Sequence, residues 1–575
     1  MPRSSRSAVA VAATPLHGAV AALRAGANKF GADATAHKEN LLRECSTHAL
    51  TDPGTLLAYH DCLLFLLAYP ESPTLLAIAR RELVRVAAAA RVIIETGAAR
   101  TRARLANSGV AWAPMTIAFG FDIARWLVAK HARHAEIDSF GDAGVPLADL
   151  LRHTLPAMEF EMLAAGEDDS NDLLALACAG HRGTRLAWLV AQCDRLPCAE
   201  GVREQLFDSL RAFITINPGA TALSRTFVRG LSTKTHFHRN PLQRAVAPPA
   251  ILARPLAAMP ALSRAKRVQL LDAGRAMLAG LGRETDALSA AAPEGIEFHV
   301  LGRGIAIALY TMVPGRRLPL DSHVGFMLFK NSMPIGYGGG WPFLGAAKIG
   351  VNIFAPYRGG ESAYLFCQVL RVYAQRFGVV HFIAEPSQFG GGNREGIESG
   401  AFWFYYRLGF RPVAPALAAL AAQEFERMGR EPGYRTPLPV LRRFTRSDIE
   451  FFLHDGAPAP PPCDPADLSL AVSAWIAKRF RGNRAAAEAF AVRSVSRALE
   501  AQGISSWPET ERAAFQAFCL LLAQIPDLAR WPARAKSSVI ALARAKGGNE
   551  FRYFDLLRYQ PRLHAALKAI TAQIA

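Results

Sequence analysis

The sequence predicts an α+β protein, with a mixed sheet and its helices in the middle of the chain and all-α regions on either side. Three observations carry this. Two proline-rich stretches punctuate the 575 residues: Asn240 to Pro260, with five prolines, and Gly456 to Pro465, with the run Pro460-Pro461-Pro462. Proline fixes φ and withdraws a donor, so both stretches read as stiff linkers between folded parts. The outer parts place apolar residues at helical spacing, whereas the middle has short β-rich runs separated by glycine and proline. A hydrophobic share of 51% and a charged share of 20% are those of a globular protein of several domains. The expected division is a disordered arm over 1–40, a helical domain over 41–240, a sheet domain over 265–450 and a basic helical domain over 466–575.

The arm rests on composition. No acid precedes Asp33, and Ala8 to Ala22 is alanine-rich, leucine-poor and broken by Pro15, a poor apolar core for secretion. Asp52-Pro53 and Ser72-Pro73 then read as helix starts, each a capping side chain followed by proline at the first helical position. After the second, Leu75, Leu76, Ala79, Leu83 and Val86 form a buried stripe that Ile78 and Val84 widen. Asp172 to Cys193 and Ala199 to Ile216 read as further helices. The best candidate for a membrane span, Cys62 to Tyr69, stops at Pro70, so none is expected. Beyond the second proline run, Leu468 to Phe480, Ala485 to Ala501, Glu509 to Leu522 and Pro561 to Ile574 are amphipathic helices.

The formal charge is +18, and from Ser469 onward 16 basic residues face 7 acidic ones. Such an excess favours acidic partners. With no base-stacking motif or helix-turn-helix pattern in it, the last part is expected to pack on the middle domain, nucleic-acid binding being the alternative. Eight cysteines without a C-x-x-C pair read as reduced, mostly buried thiols of a cytoplasmic protein. His131-x-x-His134 and His236-x-His238 lack a third ligand, so no metal is expected and these histidines read as solvated or capping.

In the middle, strands are expected at Val324 to Phe329, Ile335 to Phe343 and Ala347 to Phe354, with a turn at Lys330 to Pro334. Tyr357-Arg358-Gly359-Gly360-Glu361-Ser362-Ala363 follows, opening a helix whose buried stripe is Phe366, Val369, Leu370, Tyr373 and Phe377. Val379 to Ala384 is a strand and Gly396 to Leu408 a helix, ending Tyr405-Tyr406-Arg407-Leu408-Gly409-Phe410. A glycine-rich turn at a helix start offers free backbone N–H groups and the positive end of the helix dipole, a natural anion site.

This order resembles the GNAT superfamily of acyl-CoA-dependent N-acyltransferases over roughly residues 295–415. Arg358, Gly359 and Ala363 match that family's Arg-Gly-x-Gly-x-Gly/Ala turn, and Phe404, Tyr405, Gly409 and Phe410 match its aromatic-Tyr-x-x-x-Gly-Phe ending. The resemblance implies a GNAT-like domain that moves an acyl group, most simply acetyl, from acyl-CoA to an amine of unknown identity. It implies that Arg358, Gly359, Gly360, Glu361, Ser362 and Ala363 hold the pyrophosphate, and that Val351, Asn352, Ile353 and Phe354 run along the pantetheine arm. Tyr405 would protonate the leaving thiolate, and Glu385, at the end of its strand, is the candidate base, with burial expected to raise its pKa. Glu361 departs from the pattern, standing where the family has glycine. That departure, with the long helical flanks, motivates the alternative: a non-enzymatic adaptor with a degenerate GNAT module. His381 shares a strand face with Val379 and Ile383 and reads as a core histidine, and Gly390 to Gly396 reads as a mobile loop beside the acceptor.

Overall fold

Helical spacing already begins at Leu16. The computed structural model describes residues 15–142, 144–164, 169–217, 219–453 and 463–572. Within the segment read as a disordered arm it has α1 (Pro15–Gly26) and the start of α2 (Ala32–Ser46). Leu16, Val20 and Leu23 of the first helix, and Leu41, Leu42 and Cys45 of the second, are buried. Alanine, which weakens a secretion signal, is the best helix former, which is why this segment folds. Residues 1–14 lie outside the described residues. Next come α3 (Pro53–Ala68) and α4 (Pro73–Thr96), started as predicted: Asp52 accepts from the Thr55 N–H and Ser72 from the Leu75 N–H. The stripe of α4 is buried with Ile78, but Val84 is 59% exposed, because one residue beyond Leu83 turns it toward solvent.

The N-terminal domain is not all helix. Strands β1 (Met115–Ala118), β2 (Ala135–Phe140) and β3 (Ala212–Ile216) form an antiparallel sheet in the order β1-β3-β2. The helix expected over Ala199 to Ile216 ends at Ser209, Arg211 adopts φ 49, and Ala212, Ile214 and Ile216 are buried at alternate positions. Period 2 with β-branched residues is a strand signal that the preceding helix masks.

The middle domain is an eight-stranded mixed sheet in the order β10-β11-β9-β8-β7-β6-β5-β4. Its strands are β4 (Ala291–Val300), β5 (Ile305–Met312), β6 (Val324–Lys330), β7 (Met333–Phe343), β8 (Ala346–Ile353), β9 (His381–Ala384), β10 (Arg411–Pro412) and β11 (Ile449–Phe452). Every neighbouring pair is antiparallel except β8 and β9, which are parallel and joined through α5 (Ser362–Phe377). The predicted stripe of α5 is buried. The helix expected over Gly396 to Leu408 is two, Arg394–Glu398 and α6 (Ala401–Arg407), because Gly400 at φ 66 breaks it.

The first proline-rich stretch is a strap over α5 rather than a free linker. Arg371 donates to the carbonyls of Arg254 and Pro255, while the Gln375 side chain donates to Leu252 and accepts from the Leu256 N–H. Its prolines leave carbonyls without matching donors, and α5 supplies the donors. The second proline run, Pro460 to Pro462, lies outside the described residues.

The C-terminal domain starts with α7 (Pro465–Phe480) and continues through Arg484–Leu499, Glu509–Leu522, Ala533–Gly547, Glu550–Leu557 and Pro561–Thr571. It packs on the sheet domain, as expected of its amphipathic helices. Lys546 lies 3.0 Å from Glu550 and donates to Ser322 and to the Asp321 carbonyl, and Arg317 lies 3.1 Å from Glu550. All of these side chains are nearly or fully buried. No helix among the described residues is long and apolar enough to cross a membrane. Removing one partner of a buried ion pair strands the other. Glu550→Ala should therefore lower stability by about 3–5 kcal/mol in urea unfolding followed by fluorescence, and Glu550→Gln by less.

Candidate functional site at the parted strands

β8 and β9 pair only over Ala346–His381, Ala347–Phe382 and Lys348–Ile383. Beyond Lys348, β8 runs on to Ile353, whereas β9 stops at Ala384 and turns away at Glu385-Pro386, where proline has no N–H to continue a ladder. The strands part, and a cleft of about 350 Å³ opens beside β8, reaching Trp341, Lys348, Gly350, Asn352, Glu385 and Asn393. Gln388 lays its carboxamide against Gly350, so close that a Cβ there would lie 2.0 Å from Oε1. Glycine at 350 is what admits that amide. Asn393, in the loop read as bordering the acceptor, caps the helix Arg394–Glu398 and lines the cleft.

Glu385 emerges at the cleft as its strand-end position predicts, but half-exposed rather than buried. It pairs with Lys348 Nζ at 3.1 Å, and Asp464 lies 3.9 Å from the same ammonium. Burial opposes the Lys348 charge, yet Glu385 and Asp464 hold its pKa above the ordinary lysine value. Tyr405 is 2% exposed among Phe366, Phe389, Phe404 and Phe410. Burial raises its pKa far above the ordinary value, against the Val351 N–H that points at its hydroxyl. It lies beside β8 but is not among the residues that line the cleft, and its raised pKa makes it a weak acid. Of the strand residues, Val351 and Asn352 line the cleft, while Ile353 and Phe354 are core, Phe354 stacking on Tyr337 at 5.6 Å.

The glycine turn is arranged differently from an open anion cradle. Arg358 folds back, its Nε donating to the Ile353 carbonyl at 3.0 Å and its guanidinium 2.5 Å from Glu395. Gly359 is exposed, and its carbonyl accepts from Arg244. Gly360 is buried under Tyr69 of the N-terminal domain, whose hydroxyl would lie 2.6 Å from a Cβ there. The same hydroxyl accepts from the Glu361 N–H at 3.5 Å. The Glu361 side chain is 0% exposed: its carboxylate meets Lys330 at 3.0 Å, Arg303, and the Gln243 N–H of the strap at 3.0 Å. Burial works against its charge, but Lys330, the Gln243 N–H and Arg303 together hold its pKa below the ordinary carboxylate value. Burial in turn pushes Lys330 down to about 8, despite Glu361. Ser362 donates to the Arg358 carbonyl, and Ala363 packs on the core.

The turn as placed therefore does not fit a pyrophosphate. One of its glycines is covered by another domain, a buried carboxylate sits at its centre, and its arginine is committed elsewhere. The sequence flagged Glu361 but read Lys330 as a turn residue and gave Tyr69 no role. The apolar run Phe326-Met327-Leu328-Phe329 leading into Lys330 was the available signal that β6 carries this lysine inside. Of the pair His236 and His238, the second is not solvated: His238 is 2% exposed, with ring contacts to Phe30, Tyr69 and the half-buried His236 at the same domain junction. His381 is a core residue, stacked on Phe452 at 4.2 Å. Among the described residues no group of three or more histidine, cysteine, aspartate or glutamate side chains is arranged to hold a metal.

No protein-family model, no curated protein and no solved structure matches the chain.

Because the folded-state pKa of Glu361 is depressed, its contribution to stability is complete above the unfolded carboxylate pKa of about 4.3 and is lost as pH falls below it. Melting temperatures measured from pH 6 downward should fall more steeply below about pH 4.5 for the natural chain than for Glu361→Gln, which has no carboxylate to titrate.

Proposed function

We propose that this chain is a non-enzymatic adaptor: a binding module on a GNAT-like sheet whose donor end serves to hold the N-terminal domain. The observation that carries this reading is the buried Glu361 carboxylate, ion-paired with Lys330 and Arg303 under the Tyr69 that covers Gly360. The sequence resemblance over residues 295–415 and the parallel pair β8/β9 that parts beside the glycine turn support the GNAT-like part of it. The helical flanks, each packed on the sheet, are what an adaptor uses to hold partners.

A second reading is favoured by a different observation. The Val351 N–H meets the Tyr405 hydroxyl beside an open cleft that Glu385 borders. On this reading the chain is an N-acyltransferase that takes acetyl or another acyl group from acyl-CoA to an amine, with Tyr405 as acid and Glu385 as base. For it, the turn must first be freed of Tyr69.

Calorimetry with acetyl-CoA separates the two. The adaptor reading expects no heat from the natural chain, and binding to appear in the double variant Tyr69→Ala, Glu361→Gly. Micromolar binding by the natural chain, weakened by Arg358→Ala and accompanied by turnover that Tyr405→Phe lowers, would overturn it.

A further inference from the structure

We propose that the groove where β7, β8 and β9 meet the start of α7 binds a small primary amine with an apolar alkyl or aryl body. Next to the cleft of about 350 Å³ lies a second cavity of about 400 Å³, and the two share Trp341, Lys348 and Glu385. Both volumes are those of small-molecule pockets. Their walls differ. The first is polar, floored by the backbone of Gly338, Gly339 and Gly350. The second is an apolar pouch of Leu318, Phe343, Ala346, Ala347 and Ile383, with Cys463 and Pro465 at the start of α7 also lining it. One face of the Trp341 indole is stacked on His323 at 4.5 Å and 10°, which holds the ring as a fixed wall between the two cavities.

Charge selects the ligand's head. The chain as a whole is +18, yet among the described residues Glu385 and Asp464 line the pouch around the ammonium of Lys348, with Asp321, whose carbonyl accepts from Lys546, beside them. Lys348 Nζ, between Glu385 and Asp464, shows that this waist already holds an alkylammonium in place. Both carboxylates are half-exposed and retain acceptor capacity toward the groove, and a cation beside the indole gains from its ring. A ligand carboxylate would face the like charges of Glu385 and Asp464 there. A polyamine without an apolar body would leave the pouch walls unfilled, and burying apolar surface is the main source of affinity in such a pocket. A compact amine with a short alkyl or aryl body meets both demands.

This site stands apart from the glycine turn and needs no CoA, so its test and that of the adaptor reading fail separately. If the acyltransferase reading holds, the amine is its acceptor.

The experiment is calorimetric titration of the full chain at low ionic strength with hexylamine and phenethylamine, matched against hexanoate, phenylacetate and hexanol. Both amines should bind one to one, both carboxylates should give no heat, and hexanol should bind about tenfold more weakly, having lost its charged hydrogen bonds. Added salt should weaken the amines. Glu385→Gln should cost about tenfold in amine affinity. Asp464 caps α7 by accepting from the Ala466 N–H at 2.8 Å, and Asp464→Asn, which keeps that cap, should weaken affinity in the same direction. Ala346→Phe, which fills the pouch, should abolish binding while the melting temperature is retained. Absence of amine binding, equal binding of hexanoate or hexanol, or unchanged affinity in both Glu385→Gln and Asp464→Asn would each overturn the proposal.

Discussion

A carboxylate taken wholly out of water is among the most expensive things a fold can contain, and it persists only where its partners are complete. Glu361 meets that condition with groups from separate segments: Lys330 at the end of β6, Arg303 in the β4–β5 turn, and the Gln243 N–H in the strap. Tyr69, from the N-terminal domain, closes the arrangement over Gly360. Because each partner comes from a different part of the chain, the cluster fixes three bodies against one another: helical domain, strap and sheet. Asn331 follows Lys330 and extends the contact, donating to the carbonyls of Ala68 and His236. The geometry of the glycine turn follows from this arrangement. The Gly360 N–H is spent on the Tyr357 carbonyl and the Glu361 N–H on the Tyr69 hydroxyl, and a buried carboxylate between two cations occupies the place an anion would take.

The free edge of β8 that leads into this turn is left open for an equally local reason. β9 reaches only Ala384 before Pro386 ends its ladder, so β8 keeps an unpaired edge from Ile349 onward. On the opposite edge, Gly338, Gly339 and Gly340 of β7 pair with Val351, Gly350 and Ile349, a stretch with little side-chain bulk. Missing side chains on two adjacent strands make room above the sheet, and the cleft occupies that room. The closed turn and the open cleft are thus set by different residues and can change independently.

What the sequence could tell follows the range of the interaction. Caps at Asp52 and Ser72, the stripe of α5, and the strands from Val324 to Phe354 depend on residues a few positions apart, and the structure has them where the pattern puts them. The N-terminal sheet escaped because β1 and β2 are short and lack a clean alternation, while β3 directly follows a helix. The break at Gly400 escaped because an isolated glycine is tolerated in a helical pattern. At the candidate site, Glu385 and the turn were legible as local motifs. Tyr69 was not, since it meets Glu361 across 292 residues and nothing in its neighbourhood marks it.

The basic excess of the last domain shows the same limit in its electrostatics. Several of its cations are committed to contacts. Lys546 is buried against Glu550, Lys536 meets Glu500 at 2.5 Å, and Arg544 meets Glu511 at 2.5 Å. Arg558 donates to the Gln375 carbonyl at the end of α5, and at the same junction Arg376 of α5 takes both Glu297 and Asp555. A cation with a fixed carboxylate beside it contributes little to the field that a polyanion would feel, because at distances beyond the screening length the pair is nearly neutral. Composition counts every charge equally. The fold spends some of them on holding helices to the sheet, and it gathers carboxylates around Lys348 in a chain whose total points the other way. Which partner a charged protein attracts is therefore decided patch by patch, by the charges left over after packing.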